Sequence, residues 1–315
     1  MNSTIITEIN KCDIDASCIC TDASITNVRH MSSYNWLDRP TATIAVLGSP
    51  PLWSAPKTCS KLEKDSGLYY INQNQGRYPE SPLEPLFRAL YITNPSFDIR
   101  SVDVVTDRNN IRKFLAFVNS DLAPGDLEPF TIGVEVIGTT ALFRRDETAV
   151  TRFIEPHEFR GFGHEFEKAY TAEQVADSTG HHRIIEYQFG GLHFVVRYEA
   201  DGYVEDAKTD LFQGKTSQDD PLAASMRVIS LSPATAISTI NPAPSKLVIT
   251  EAGRSVPLEI KTRAIRRPLS IPDVAAQLWV SQTSKLVRAY HQHGKFEVPK
   301  VEDVEAQVKR WVQPD

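Results

Sequence analysis

The chain has 315 residues, of which 41% are hydrophobic and 23% are charged. This composition supplies enough apolar side chains for a full hydrophobic core, and it excludes a small fold that depends on metal ions or disulfides for its stability. The formal net charge of −6 argues against a protein that binds nucleic acid indiscriminately through many phosphates, but it leaves local basic patches open.

The first 30 residues are polar and weakly periodic, which predicts a disordered tail, and we expect residues 31–315 to form one domain. Three of the four cysteines lie in that tail, so no disulfide framework is indicated. The sequence contains neither a basic segment followed by an apolar run at its start nor an apolar stretch long enough for a membrane span. We therefore expect a cytosolic or nuclear protein, most simply a cytoplasmic one, without membrane contact and without an obligate protein partner.

In the first half of the chain, short β-rich runs alternate with segments of helical spacing. Capping oxygens at the start of the second helix are offered by Thr106, Asp107 and Asn109. The predicted elements are, in order, a strand at 44–47, a helix that starts near Pro85 and ends before Pro95, a strand at 102–105 and a helix over 111–118.

In the second half, two segments alternate apolar and polar residues and predict pairs of strands, with turns at Gly138 and at Gly190 and Gly191. We further predict a helix in GFGHEFEKAYTAEQ, a loop over 205–221, two strands in SKLVITEAGRSVPLEIKTRA and one long helix in IPDVAAQLWVSQTSKLVRAYHQHG. The interleaved elements indicate an α/β (α+β) fold with a mixed central sheet flanked by helices.

Acidic side chains and one lysine are spaced so that they can meet at one site. Glu199 and Asp201 end one predicted strand, and Glu259 and Lys261 end another. Residues two apart on a strand share a face, so four ionisable groups converge if these strands are neighbours. Glu167, in the predicted helix, adds a further acid. Solvated strand faces are the alternative explanation for each triplet alone.

Such a cluster of carboxylates requires a cation, because two carboxylates about 4 Å apart repel by roughly 4 kcal/mol at an effective dielectric of about 20. Mg²⁺ or Mn²⁺ prefers oxygen ligands and polarises a phosphate or a water molecule. Lys261 would then hold developing negative charge or, if its pKa falls, move protons.

Five motifs, in this order, resemble those of the PD-(D/E)XK nuclease superfamily, and within it those of the eukaryotic decapping exonuclease family. They are Arg108 in DVVTDRNNIRKFL, GHEFE ending at Glu167, Glu199-Ala-Asp201, Glu259-Ile-Lys261 and Trp279-Val-Ser-Gln282. The resemblance implies a nuclease-like catalytic domain over 31–315. It also implies metal ligation by Glu167, Asp201 and Glu259, a catalytic Lys261, and substrate contacts from Arg108 and Gln282.

A second resemblance extends over nearly the whole chain. Blocks such as SSYNWLDRPTATIAVLGSPPLW and RYPESPLEPLFRAL are similar to a group of fungal proteins of this fold that includes the arginine-containing cyclodipeptide synthases. That resemblance implies a transferase of secondary metabolism that joins arginine and a second amino acid, both delivered as aminoacyl-tRNA, into a diketopiperazine.

On the synthase hypothesis, the carboxylates bind the guanidinium of the substrate arginine bidentately, and no metal is needed. The catalytic residues would be Glu167, Glu199, Asp201, Glu259 and Lys261, and the substrate-binding residues Arg108, Trp279 and Gln282. Core packing is the alternative for Trp279. We prefer the synthase, and keep a metal-dependent RNA decapping-type nuclease, with Mg²⁺ as cofactor, as the alternative.

Overall fold

Most strands lie in two eight-stranded sheets. The computed structural model describes residues 7–14, 24–119, 128–205, 227–231 and 255–313. Its strands are β1 (Thr26–Leu37), β2 (Thr43–Val46), β3 (Leu52–Trp53), β4 (Ser60–Lys61), β5 (Gly67–Tyr70), β6 (Val104–Asp107), β7 (Thr131–Ile137), β8 (Thr140–Asp146), β9 (Thr151–Ile154), β10 (Thr171–Ala172), β11 (Ser178–Phe189), β12 (Leu192–Glu199), β13 (Gly202–Glu205), β14 (Arg227–Ser230), β15 (Ser255–Ala264), β16 (Lys285–Gln292), β17 (Lys295–Phe296) and β18 (Val301–Asp303). Its α-helices are α1 (Gln73–Arg77), α2 (Glu84–Thr93), α3 (Arg108–Val118), α4 (Gly163–Tyr170), α5 (Pro272–Ser281) and α6 (Glu305–Val312).

The first sheet has the order β14–β2–β1–β11–β12–β6–β8–β7 and mixes parallel with antiparallel pairs. Helix α2 covers one face, where Leu86 and Leu90 pack against residues of β1 and β2. Ile111 and Leu115 of α3 pack on the opposite face, together with Val280 of α5. Apolar residues at helical spacing on the helices and alternation on the strands account for this layering.

The second sheet has the order β10–β3–β13–β15–β16–β17–β4, with β18 paired to β16. Its central pair, β15 and β16, is parallel, and Phe162 and Phe166 at α4 pack on Leu258 and Ile260 of β15. The predicted fold class, a mixed sheet flanked by helices, is confirmed. The difference is that the strands divide into two large sheets, where we predicted one central sheet.

The chain passes from the first sheet to the second between β12 and β13. Strand β12 ends at Glu199, and β13 begins at Gly202 and pairs with β15, with Gly202 opposite Leu258. Asp201 lies in this crossing. The crossing brings the acids of one sheet next to those of the other.

Several predicted elements are confirmed: β2, α2 between Pro85 and Pro95, the β6–α3 unit, the β7–β8 and β11–β12 hairpins, and α4. Asp107 precedes α3 as expected, but its side chain makes no capping hydrogen bond. Most of the predicted loop at 205–221 and the first strand of SKLVITEAGRSVPLEIKTRA lie outside the described residues.

The predicted long helix after residue 271 is wrong. Helix α5 ends at Ser281, Gln282 adopts a left-handed conformation with φ of 53°, and β16 follows. The apolar residues of KLVRAYHQ fit helical spacing and strand alternation equally well, so periodicity did not separate the two. The segment forms a strand because it makes parallel hydrogen bonds with β15.

The predicted boundary of the tail at residue 30 is also wrong, because β1 begins at Thr26 and pairs with β11. Polar and exposed residues at this end of the strand concealed the pairing from the sequence. Among the described residues, no helix is both long and apolar enough to cross a membrane.

Candidate active site

Glu259 and Lys261 lie on β15, two residues apart, and their side chains contact each other. The side chain of Glu259 is only 2% exposed. Its Oε1 accepts hydrogen bonds from Lys261 Nζ and from Gln277 Nε2 of α5. Strand alternation brings the acid and the lysine to one face, as predicted, although they lie within β15 and not at its end.

Asp201 joins this pair because β13 is hydrogen-bonded to β15. Its Oδ2 accepts a hydrogen bond of 2.8 Å from the backbone N–H of Ile260 and lies 3.8 Å from Lys261 Nζ. Asp201 is thus held by the backbone between the two residues of the Glu-x-Lys motif. The predicted convergence of Asp201, Glu259 and Lys261 is present in the structure.

Arg108 reaches the same cluster from the first turn of α3. Its Nη1 lies 3.1 Å from Glu259 Oε2, and its guanidinium stands 5.4 Å from the centre of the Tyr198 ring. Both oxygens of Glu259 therefore have partners: Lys261 and Gln277 on one, Arg108 on the other.

Glu167 lies on α4, whose N-terminus is capped from a distant part of the chain. The buried carboxylate of Asp65 accepts a hydrogen bond of 3.0 Å from the backbone N–H of Glu165, in the first turn of the helix. Asp65 is one hundred residues away in the sequence, so no local pattern could have indicated this cap. The cap fixes the helix that carries Glu167.

Glu199, at the end of β12, borders the cluster without a direct contact to Glu259 or Lys261 among the described residues. Its side chain is open to solvent at the wall of the site. Its pKa is nevertheless raised, because the surrounding protein displaces water around the carboxyl and because Glu259 is near.

The pKa values in this cluster are shifted by burial first and by neighbouring charges second. Desolvation and repulsion from Glu259 raise the pKa of Asp201 to about 7, and desolvation together with Asp201 raises the pKa of Glu167 well above its usual value. Burial alone would raise the pKa of Glu259, but Lys261 and Arg108 lower it to about 2. Burial opposes the charge on Lys261, yet Glu259 and Asp201 raise its pKa, so it stays protonated at neutral pH.

Two predicted substrate-binding residues are not brought into contact with this cluster. The ring of Trp279 packs against Phe189 and Trp311, at centroid distances of 5.3 and 6.4 Å. Gln282 is exposed at the end of α5, where its Nε2 donates to the carbonyl of Trp279. Because β16 replaces the second half of the predicted helix, Gln282 caps α5 instead of lying along it.

Gln277 is the site residue that the sequence analysis missed. It is buried on α5 and donates to Glu259 Oε1. The available signal was a polar residue inside the apolar run VAAQLWV, because a buried amide in such a run needs a hydrogen-bonding partner.

The donor chemistry of the cluster fits a divalent cation, since several carboxylates share a desolvated space and three of them, counting Glu199 at its border, have raised pKa values. Within the described part of the chain, however, no three carboxylate, imidazole or thiol groups are placed so as to hold a metal ion. Ligation by Glu167, Asp201 and Glu259 therefore stays a prediction. Ligation through Glu259 would place the ion beside the positive charges of Lys261 and Arg108, which already contact this carboxylate.

The fold is similar to solved structures of Rai1 proteins. A mutant of S. pombe Rai1 in complex with 3′-FADP gives a TM-score of 0.51 at 11% identity, covering 97% of this chain and 82% of that one. Scheffersomyces stipitis Rai1 gives a TM-score of 0.51 at 12% identity, covering 92% of this chain and 79% of that one. This likeness confirms the nuclease-like fold.

The prediction of a cyclodipeptide synthase with aminoacyl-tRNA partners is wrong. Both solved structures reported above are Rai1 proteins, which are decapping nucleases and not synthases. The predicted aminoacyltransferase activity, which depended on the synthase hypothesis, is therefore not supported.

Sequence comparison with curated proteins finds no match. A family model described as "Domain of unknown function (DUF8563)" matches residues 4–314. The match includes every residue of the carboxylate–lysine cluster, and the chain belongs to the DUF8563 family.

Proposed function

We propose that this protein is a metal-dependent RNA nuclease of the decapping type. The observation that carries the proposal is the cluster of Asp201, Glu259 and Lys261, which pairs carboxylates with a protonated lysine at the crossing between the two sheets. The similarity in fold to Rai1, crystallised in one case with the dinucleotide 3′-FADP, supports a substrate that contains nucleotides.

Glu167, Asp201 and Glu259 would hold the metal. Bound there, a divalent ion would supply Lewis-acid chemistry, polarising a phosphate oxygen and lowering the pKa of a water molecule. The reaction is a hydrolysis: one P–O bond forms to the oxygen of water, one P–O bond breaks, and the leaving oxygen takes up a proton.

The side chains of this chain have distinct roles in that scheme. The raised pKa of Lys261 keeps it charged, so it stabilises negative charge on the phosphate in the transition state and does not act as a base. Arg108 presents a planar guanidinium that binds phosphate oxygens bidentately. Gln277 and the backbone N–H of Ile260 position Glu259 and Asp201, respectively.

The test is cleavage of end-labelled RNA with capped, triphosphate and monophosphate 5′ ends, in Mn²⁺ or Mg²⁺ and in EDTA. We expect cleavage only with the metal, and at least a hundredfold loss in Lys261→Ala, a magnitude typical of removing one group that stabilises transition-state charge. Lys285→Ala is the matched control, because Lys285 is on the neighbouring strand in an exposed pair with Asp303.

Cleavage that persists in EDTA, or that Lys261→Ala leaves intact, would refute a metal-dependent nuclease at this site. If Lys285→Ala loses as much activity as Lys261→Ala, the loss reflects damage to the sheet and not chemistry. Thermal unfolding of each variant separates these outcomes.

A further inference from the structure

A group of cations lies beside the acidic cluster on α3 and β8. Lys113 Nζ and Arg145 Nε both contact Glu147 Oε1, at 2.9 and 2.7 Å. Arg108 and Arg112 are four residues apart on α3 and therefore lie on the same face of the helix. We call Arg108, Arg112, Lys113 and Arg145 the cationic pocket.

The charges in this pocket are not balanced. Lys113 and Arg145 share one carboxylate, that of Glu147, while Arg108 uses Glu259. Arg112 forms no hydrogen bond and no ion pair with any residue that the structure describes. In this group, the guanidinium of Arg112 is therefore the one whose donors have no acceptor among the described residues.

Arg112 is also half-buried, so its guanidinium has lost part of its hydration. Burial, followed by repulsion from Arg108, lowers its pKa; attraction by Glu259 opposes this shift, and Arg145 adds to it. A guanidinium stays protonated in proteins, so an anion that pairs directly with Arg112 would relieve this unfavourable environment. Its nitrogens retain access to solvent, since none is among the fully enclosed unpartnered atoms.

We infer that Arg112 is a binding site for a phosphate group of the substrate, separate from the phosphate that is cleaved at the carboxylate–lysine cluster. The identity of the anion, an RNA phosphate, rests on the proposed function. The planar fork of Arg112 matches two phosphate oxygens, and Arg108 and Arg145 add positive charge around it. The overall charge of −6 makes such a local patch the route by which this chain attracts RNA.

Strand β8 provides a control for this site. Arg144 is adjacent to Arg145, and alternation sends its side chain to the opposite face of the strand, away from α3. Like Arg112, it is half-buried and forms no ion pair within the described residues. A diffuse positive field would depend on both arginines, whereas a defined phosphate site depends on Arg112.

The experiment measures fluorescence anisotropy of a ten-nucleotide RNA with a 3′ label, titrated with the full chain in EDTA at several salt concentrations. We expect Arg112→Gln to weaken binding at least fivefold and to reduce the slope of log K against log salt by about 0.7, the value for one phosphate of single-stranded nucleic acid. Arg112→Lys should keep the slope and lose only part of the affinity. Arg144→Gln should bind within twofold of the wild type.

Wild-type affinity and slope in folded Arg112→Gln would overturn the inference, and so would an equal loss in Arg144→Gln. Cleavage in Mn²⁺ is measured on the same proteins. If the wild type cleaves RNA but Arg112→Gln binds RNA as the wild type does, the proposed function is supported and the phosphate site at Arg112 is refuted. Loss of binding in Arg112→Gln by a protein that never cleaves RNA refutes the nuclease and supports the phosphate site.

Discussion

Two neighbouring residues, Asp107 and Arg108, belong to two buried charged clusters of different character. Asp107 ends β6 and pairs with Arg197, while Arg108 begins α3 and pairs with Glu259. The first cluster lies within the core, and the second forms the candidate active site.

The Arg197 cluster is balanced. Its guanidinium is 1% exposed and forms two hydrogen bonds with Asp107, of 2.7 and 3.0 Å. Its remaining donors reach Tyr34 Oη at 3.2 Å and the carbonyl of Pro82 at 2.8 Å. Burial alone would lower the pKa of Arg197, but Asp107 raises it. One cation is thus paired with one anion, and the third nitrogen of the guanidinium donates to two neutral acceptors.

The Glu259 cluster is unbalanced, since several acids surround one lysine and one arginine. The pKa values of Asp201 and Glu167 are raised, mainly because desolvation opposes their charge. The comparison shows that an ion pair with all its hydrogen bonds made stabilises the fold. In a crowded carboxylate cluster, by contrast, the negative charges destabilise one another, and a bound cation can relieve that repulsion.

The largest expected effect is the loss of stability when the ion pair of Arg197 and Asp107 is broken. Arg197→Met leaves Asp107 buried without its partner, so the free energy of unfolding should fall by about 3–5 kcal/mol. Urea denaturation followed by circular dichroism measures it. Adding Asp107→Asn should restore part of the loss. Arg108→Met should lower the free energy of unfolding clearly less, because Glu259 still contacts Lys261 and Gln277. Equal losses in the two variants would contradict the distinction between the clusters.

The next effect tests the raised pKa of Asp201. Its folded pKa is about 7, and an unfolded aspartate has a pKa near 3.9. Between these values the folded state binds more protons, so stability falls as the pH rises from about 4 to about 7. Asp201→Asn removes this loss and can still accept the hydrogen bond from Ile260.

Unfolding in EDTA at pH 4 and pH 8 gives the measurement. Relative to the wild type, Asp201→Asn should gain on the order of 4 kcal/mol between the two pH values, at about 1.36 kcal/mol per pKa unit. Asp98 is the control, because hydrogen bonding to Arg100 lowers its pKa, and Asp98→Asn should change with the opposite sign. A pH-independent difference for Asp201→Asn would show that the carboxyl is not perturbed.

The smallest effect tests whether a cation can enter the unbalanced cluster. Because Arg108 lies 3.1 Å from Glu259 Oε2, its positive charge opposes the binding of a cation to this oxygen. Titration calorimetry with Mn²⁺, without RNA, should show binding about three- to tenfold tighter in Arg108→Gln, on the order of 1 kcal/mol. Arg144→Gln is the control, because Arg144 forms no ion pair within the described residues and lies on the opposite face of β8 from Arg145. Weaker binding in Arg108→Gln would mean that Arg108 orders the site for the metal.

Much of the site was predictable because strand alternation is local. The spacing of Glu259 and Lys261 placed them on one face before any contact was known. The failures have equally specific causes. The pattern of KLVRAYHQ suits a helix and a strand alike, so the end of α5 was misplaced. Gln282 was assigned from the motif of the resemblance, and Gln277, which contacts Glu259, was not considered.

The sequence by itself determined the order of strands and helices over most of the described chain, the mixed fold class and the shared face of Glu259 and Lys261, because these follow from hydrophobic periodicity and from residue spacing. It did not determine that Asp201 joins them, which depends on the pairing of β13 with β15. The tertiary structure alone decided the rest. The division into two sheets, the capping of α4 by Asp65, and the partners of Asp107 and Arg108 depend on contacts between residues about 90 to 150 positions apart. No local pattern encodes such contacts, and they determine which charges are paired and which remain available for function.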